Sequence, residues 1–492
     1  MSKQYATPGV YIEEKSAFSN SVVAVATAVP AFIGYTEKAR AGKRDLTNTP
    51  VRITSLVEYI NYFGGAPKST FTVSANGELT VDAASNYILY RSLQLFFANG
   101  GGTAYIVSVG GYGEGVKAAE LIGAETGGGL YSLLKETEPT LVVIPEAVLL
   151  SAEDCASVQQ AMLKHCGADT RSRFAILDVH NGAEKRTLRD DDVVTAARSA
   201  YGNNFLDFGA AYYPWLNTTI VSADDLNYSN ISNTEGLIEL LNKEVEENVE
   251  AGYYKSEKGS LIKAEIAKIA DGYNVGVANI LKAVSPAYNE LVAEMSSKLN
   301  ILPPSAAVAG IYALVDGSVG VFKAPANVSV SSVVAPTVNL TSAEQEDLNL
   351  PLSGKAINAI RPFVGKGTLV WGARTLDGNS QDWRYINVRR TMIMLEQSIK
   401  FAAEPFVFRP NDANTWIAVR SMIGSFLRSQ WQAGALVGAS EDEAFQVECG
   451  LGTTMTPQDI LDGYMKISVK VAISRPAEFI VITFQQAMPG GQ

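Results

Sequence analysis

The residues able to carry chemistry are few, and their spacing is poor. Only two histidines, His165 and His180, occur in 492 residues. His180 follows the apolar run Phe174–Asp178 (FAILD), at the strand end where α/β folds collect ligands, and Asp178 lies two positions before it. Such a pair suits acid/base work. No GxSxG elbow, HExxH run or activated-cysteine context accompanies it, so a structural, hydrogen-bonded His180 is the simpler reading. His165 falls at the C-terminus of a predicted helix, where the dipole favours positive charge and capping is the expected role. The run Gly110-Gly111-Tyr112-Gly113-Glu114-Gly115 sits between a strand and a possible helix, the place for a phosphate loop. Its spacing fits neither GxGxxG nor GxxxxGK[ST], which leaves a turn.

Asp190-Asp191-Asp192 has the charge for a cation, but three successive aspartates cannot converge on one ion from one helix or strand; a solvated face or a helix N-terminus is expected. Cys155, Cys166 and Cys449 form an odd, sparse set without CxxC, against both a disulfide scaffold and a cysteine zinc site. Trp371, Arg374, Trp383, Arg384, Tyr385, Arg389 and Arg390 are residue types that anchor interfaces, or a core closed by salt bridges. From these residues we assign no catalytic, cofactor-binding or metal site.

Composition narrows the classes further. Hydrophobic residues are 47% of the chain and charged residues 18%, enough apolar surface for true cores and against whole-chain disorder. Forty basic residues stand against 51 acidic ones, a net charge of −11, which repels phosphate backbones and disfavours nucleic-acid binding. No secretory signal is read at the start, where Glu13 and Glu14 precede the first apolar run. The longest uncharged apolar stretches, Val22–Gly34 and Ile301–Val315, are too short to span a bilayer and contain proline. The expectation is a soluble chain, cytoplasmic at synthesis.

Around these residues, buried strands (TAYIVSV at 103–109, TLVVIP at 140–145, FAILD at 174–178, AAYYP at 210–214) alternate with helices (83–98, 151–165, 193–200), which predicts a parallel or mixed α/β sheet. Ser151 reads as an N-cap with Asp154 completing a capping box. Residues 224–300 differ: Leu237, Leu240, Leu241 and Val245 follow helical spacing, with Glu244, Glu246, Glu247 and Glu250 on the other face. Helices are also expected over 387–402 and from Asp412 to about Gln432, the latter with Trp416, Ile423, Phe426 and Leu427 on its core side. Ile467, Val469, Val471 and Ile473 alternate with Lys466, Ser468, Lys470 and Ala472 in strand periodicity. The last run, EFIVITF at 478–484, is apolar on both faces and wants neighbours on both sides. Residues 1–21 look extended, with Val10-Tyr11-Ile12 as a short strand and no core of their own.

Several of these stretches resemble the contractile tail sheath family of phage tails, bacteriocin particles and contractile injection systems. They are YATPGVYIEE and AVPAFIGYTE near the start, PPSAAVAGIYALVDGSVGVFKAPAN, then INAIRPFVGKGTLVWGARTL with WRYINVRRTMIMLEQSI, FVFRPNDANTWIAVRSMIGSFLRSQWQAGALVG, AFQVECG and RPAEFIVITFQQ. Residues 224–300 do not match and read as a variable insertion. Where the family usually has Ala-Pro before its last strand pair, this chain has Val471-Ala472-Ile473-Ser474.

The resemblance implies a mixed α/β, multi-domain sheath subunit and a structural role. It divides the chain into an N-terminal linking arm (1–21), an α/β domain (22–222), a variable, partly helical insertion and connection (223–345), a C-terminal sheath domain (346–475) and a C-terminal linking strand and tail (476–492). Family members polymerise as stacked hexameric rings around an inner tube, stitched by exchanged strands. Here Val10, Tyr11, Ile12, Ile467, Val469, Val471, Phe479, Ile480, Val481 and Ile482 would link subunits, and Arg420 would touch the tube. Strand addition satisfies open backbone groups, and head-to-tail contacts of this kind build rings and helices. The implied partners are other copies, the inner tube, baseplate and terminal cap proteins, with no direct nucleic acid, membrane insertion or cofactor. The rival expectations are an α/β enzyme using Asp178 and His180, or another structural protein of a tail.

Overall fold

The computed structural model describes residues 22–481 apart from 75, 188 and 190. Val10, Tyr11, Ile12 and Ile482 therefore lie outside the described residues. The described chain separates into two compact units. The larger comprises 26–393 with 475–481, the smaller 22–25 with 394–474.

The larger unit is built on one nine-stranded sheet. Its strands are β1 (Pro30–Tyr35), β2 (Val51–Ile53), β3 (Ala104–Gly110), β4 (Leu141–Val143), β5 (Phe174–Asp178), β6 (Gly209–Tyr213), β7 (Val328–Ser329), β8 (Asn358–Phe363) and β9 (Gly367–Val370). They lie in the order β7-β9-β8-β6-β5-β4-β1-β3-β2. The six strands from β8 to β3 pair in parallel, and β2, β9 and β7 add antiparallel edges. The expected mixed α/β fold is present. The apolar runs read as buried strands are these central strands, and every residue of β1, β4, β5 and β6 is buried. Buriedness on both faces is what a parallel sheet covered by helices requires.

Helices Leu89–Ala98, Ala152–Lys164, Val193–Ala200 and Ser305–Ser318 belong to this unit. The helix expected over 83–98 is interrupted: a short turn at Ala83–Ser85 precedes the helix proper at Leu89. Ser151 caps its helix as read, accepting from the Asp154 N–H, while the Asp154 carboxylate accepts from the Ser151 hydroxyl. Residues 224–300 form four helices, Thr234–Glu250, Ser256–Ala267, Val275–Val284 and Pro286–Leu299. Leu237, Leu241 and Val245 point into a second core that also takes Phe71, Val73 and Leu79 from a hairpin far earlier in the chain.

The smaller unit packs helix Ala413–Gln432 against a two-stranded antiparallel ladder of β10 (Phe445–Glu448) and β11 (Ser468–Val471). Asp412 caps that helix through the Thr415 N–H, as the sequence predicts.

Candidate functional site: closed chemistry and open strands

Each feature that suggested an enzyme is satisfied internally. The Asp178 carboxylate accepts the Ser305 N–H at 2.8 Å, at the start of helix Ser305–Ser318. Burial pushes its pKa up to about 7 against the pull of that hydrogen bond. The His180 Nε2 lies 3.0 Å from the Leu150 carbonyl. The two side chains serve different partners and form no dyad.

The first five parallel strands follow the spatial order β3-β1-β4-β5-β6, a doubly wound arrangement whose switch point lies beside β1. There the fully buried Glu146 carboxylate accepts from the N–H groups of Tyr35, Ile88 and Leu89 at 2.8, 3.0 and 3.2 Å. Ile88 and Leu89 open a helix, so the chain's own carboxylate sits where a bound anion would. Burial pushes Glu146 up to about 7 although three N–H donors favour its charged form. The glycine run behaves alike: the N–H groups of Gly113 and Gly115 both donate to the Tyr87 hydroxyl, at 2.9 and 2.8 Å.

One expectation needs correction. His165 is buried and not a charged cap. Its Nε2 lies 2.6 Å from Arg173, and burial together with that guanidinium lowers its pKa to about 3, so it is neutral at pH 7. Of the two readings of the aspartate run, Asp192 takes the helix N-terminus: it caps Val193–Ala200 and is held by both oxygens to Arg186 Nε at 2.9 Å, with both side chains buried. Asp190 lies outside the described residues. All three cysteines are buried and unpaired, and no group of metal-ligating side chains gathers among the described residues.

Three arginines of the aromatic and arginine set are buried in internal pairs, while Trp371 is exposed. Arg389 stacks 3.6 Å from the Trp383 ring centroid and pairs with Asp207. Buried Arg390 pairs with buried Asp316 at 2.5 Å and donates to the Thr27 carbonyl at 3.0 Å. Buried Arg374 grips Glu478. Sequence reasoning missed Glu146, Asp316 and Glu478, since a lone acid in an apolar context carries no periodic signal.

What stays open is backbone. In the smaller unit β10 and β11 pair with each other, with Phe445 opposite Val471 and Val447 opposite Val469, and no third strand joins this sheet among the described residues. Ile467, Val469 and Val471 are half-buried. At the other end, residues 478–481 adopt no strand here, and Phe479, Ile480 and Val481 are 66%, 80% and 88% exposed. On helix Ala413–Gln432, Ile423, Phe426 and Leu427 are buried as expected. Trp416 is half-buried, its Nε1–H donated to Asn411, and Arg420 is exposed.

Among the described residues, Asp178, His180 and Glu146 are engaged within the chain, while the β10–β11 ladder keeps open edges. Comparison with known proteins adds the following likenesses. Residues 379–487 match the phage tail sheath C-terminal domain family. The tail sheath protein of Burkholderia phage BcepMu is 25% identical over 182 residues, covering 36% of this chain and 36% of that protein, so the match spans about a third of the curated relative. Over nearly the whole chain, the fold matches the helical sheath of the anti-feeding prophage in its contracted state (TM-score 0.61, 29% identity, 98% of this chain and 100% of that one). It matches equally the sheath complex of the PVC extracellular contractile injection system, also contracted (TM-score 0.61, 28% identity, 99% of each chain). The proteins it resembles along its length are sheath subunits of contractile particles.

Proposed function

We propose that this chain is the sheath subunit of a contractile tail or injection machine. It polymerises as stacked six-fold rings around an inner tube and contracts to drive that tube through a target envelope. The observation that carries the reading is the two-stranded sheet of the smaller unit: β10 and β11 offer ladder edges, while Phe479–Val481 is an apolar segment with no strand partner among the described residues. Segments 1–21 and 476–492 would complete such sheets in neighbouring copies, with Val10, Tyr11, Ile12, Ile467, Val469, Val471 and Phe479 to Ile482 forming the links. The 22–222, 223–345 and 346–475 divisions would be the α/β sheath domain, its partly helical insertion and connection, and the C-terminal sheath domain, the last lending β8 and β9 to the nine-stranded sheet. Baseplate and terminal cap proteins would hold the ends of the polymer, with Arg420 against the tube. The assembled sheath would be kinetically trapped in an extended form, and contraction would draw its energy from new subunit contacts. No nucleotide, metal or enzymatic step is required, in keeping with a switch point filled by Glu146. Assembly would take place in the cytoplasm, before the particle acts outside it.

Negative-stain electron microscopy of the purified full-length chain tests this directly. Striated tubes are expected; a uniform monomer that turns over a substrate would favour the enzyme reading, and a particle with this chain only in the baseplate would favour another tail component.

A further inference from the structure

Residues 476–481 are hydrogen-bonded to the rest of the larger unit through one side chain. Among the described residues, Glu478 is the only member of this segment that makes hydrogen bonds, and it makes four. Arg374 Nε reaches Oε1 at 2.9 Å and Arg374 Nη2 reaches Oε2 at 2.6 Å, a bidentate pair. Asn349 Nδ2 donates to Oε1 at 2.7 Å, and the Tyr385 hydroxyl donates to Oε2 at 3.0 Å. Each carboxylate oxygen thus takes two donors.

The receiving side is rigid. Arg374 is 2% exposed, its Nη1 donates to the Gly378 carbonyl, and its N–H donates to Asn358 on β8. A cleft of about 530 Å³, lined by Trp371, Ala373, Tyr385, Asn349 and the segment itself, runs beside the carboxylate. The surroundings are therefore built to hold one carboxylate, while Phe479, Ile480 and Val481 immediately beyond it are left exposed.

We propose that the Arg374–Glu478 pair, completed by Asn349 and Tyr385, is the fastening that anchors the C-terminal linking segment to the body of its own subunit. It fixes where that segment leaves the larger unit and carries the pull transmitted through the link. The mechanical part of this rests on the sheath reading above; the fastening itself does not. Without it the exposed run 479–481 would swing from a longer tether, and each link would pay out slack where a sheath needs a fixed pivot.

The test separates the two. The three native cysteines are buried, so a nitroxide on Val481→Cys in the full-length chain reports the segment alone. In the free chain a slow-motion spectral component is expected; Glu478→Ala should abolish it while leaving the thermal midpoint within a few degrees. If Arg374→Ala loses the fold, Glu478→Ala stands alone, since its carboxylate lies at the surface end of the pair. Unlabelled Glu478→Ala should also lower tube yield at least tenfold relative to wild type, or give tubes that shear apart. A slow component that persists in Glu478→Ala overturns the fastening. A freed segment with undiminished, shear-resistant tubes overturns its mechanical role. Wild-type chain that forms no tubes defeats the sheath reading, yet the spectra still decide whether the fastening exists.

Discussion

The two units of this molecule differ in how much of their sheets is interior. In the larger, β1 is flanked on both sides and all six of its residues are buried. In the smaller, β11 has one neighbour, and its four residues are half-buried or exposed. An isolated two-stranded ladder is marginal in water, and an unpaired edge is a template for another strand. One sheet has six interior-paired parallel strands between its edges; the other consists of edge strands alone and, on the reading proposed above, is a socket.

The strongest way to break this contrast is to remove what we propose fills the socket. A chain lacking residues 1–20 should keep its fold, because the buried residues described in both units, from Val29 onward, already pack with one another within each unit. It should form no tubes. Circular dichroism and size exclusion read the first outcome and electron microscopy the second. Normal tubes from this truncation would mean the N-terminal segment is not a link.

The same kind of truncation applied to one side chain in each unit sharpens the comparison. Ile33 on β1 is fully buried, and Ile33→Ala should cost about 2–5 kcal/mol, lost transfer energy plus a cavity. Val469 on β11 is half-buried, and Val469→Ala in the free chain should cost under about 1 kcal/mol. Chemical denaturation measures both. In tubes the order should narrow, since a strand added beside β11 would bury Val469 further.

How much of this was legible beforehand differs between the same regions. FAILD, TLVVIP and AAYYP announced β4 to β6 because a strand buried on both faces must be apolar throughout. The ladder strand β11 was equally legible from its alternation, and the Asp412 cap from residue type alone. The insertion's helices showed in the spacing of Leu237, Leu241 and Val245, but their partner hairpin at 71–81 did not, because contacts across about 160 residues leave no local period. The acids were legible in part. Asp192 was readable as a helix N-terminus, but not its burial against Arg186, since spacing alone does not show which arginine turns inward. Glu146 looked like nothing, although it fills the switch point. The linking residues 10–12 and 482 were read from pattern and resemblance, and lie outside the described residues.

Glu146 and Asp178 give the larger unit a pH signature of unusual sign. Both have folded pKa values near 7, raised chiefly by burial, against ordinary carboxylate values when unfolded. Between about pH 4.5 and 7 the folded state therefore binds more protons than the unfolded state, so stability falls as pH rises through this window and levels off above it. The acids held below their ordinary values by arginines, Asp192 and Glu478, titrate at lower pH, whereas His165, kept neutral in the fold, opposes part of the decline below about pH 6.5. Glu146→Gln should flatten the decline by up to about 1.4 kcal/mol per pH unit. Urea midpoints between pH 5 and 7.5 measure the slope, and an unchanged slope would show that Glu146 keeps its charge throughout.

The smallest effect on stability is expected at Arg420, and it isolates function from fold. Its side chain is exposed on a helix whose buried face is Thr415, Val419, Met422, Ile423, Phe426 and Leu427. Nothing in the core depends on it, so Arg420→Ala should shift folding stability by no more than about 0.5 kcal/mol. If the helix meets the inner tube, the same change should weaken co-assembly with the tube protein and do so more at low salt, where an exposed charge reaches furthest. Co-sedimentation of sheath and tube over a range of salt concentrations reads the difference. Equal co-assembly of wild type and variant at every salt concentration would place Arg420 away from the tube, while leaving the open ladder and its strand links untouched.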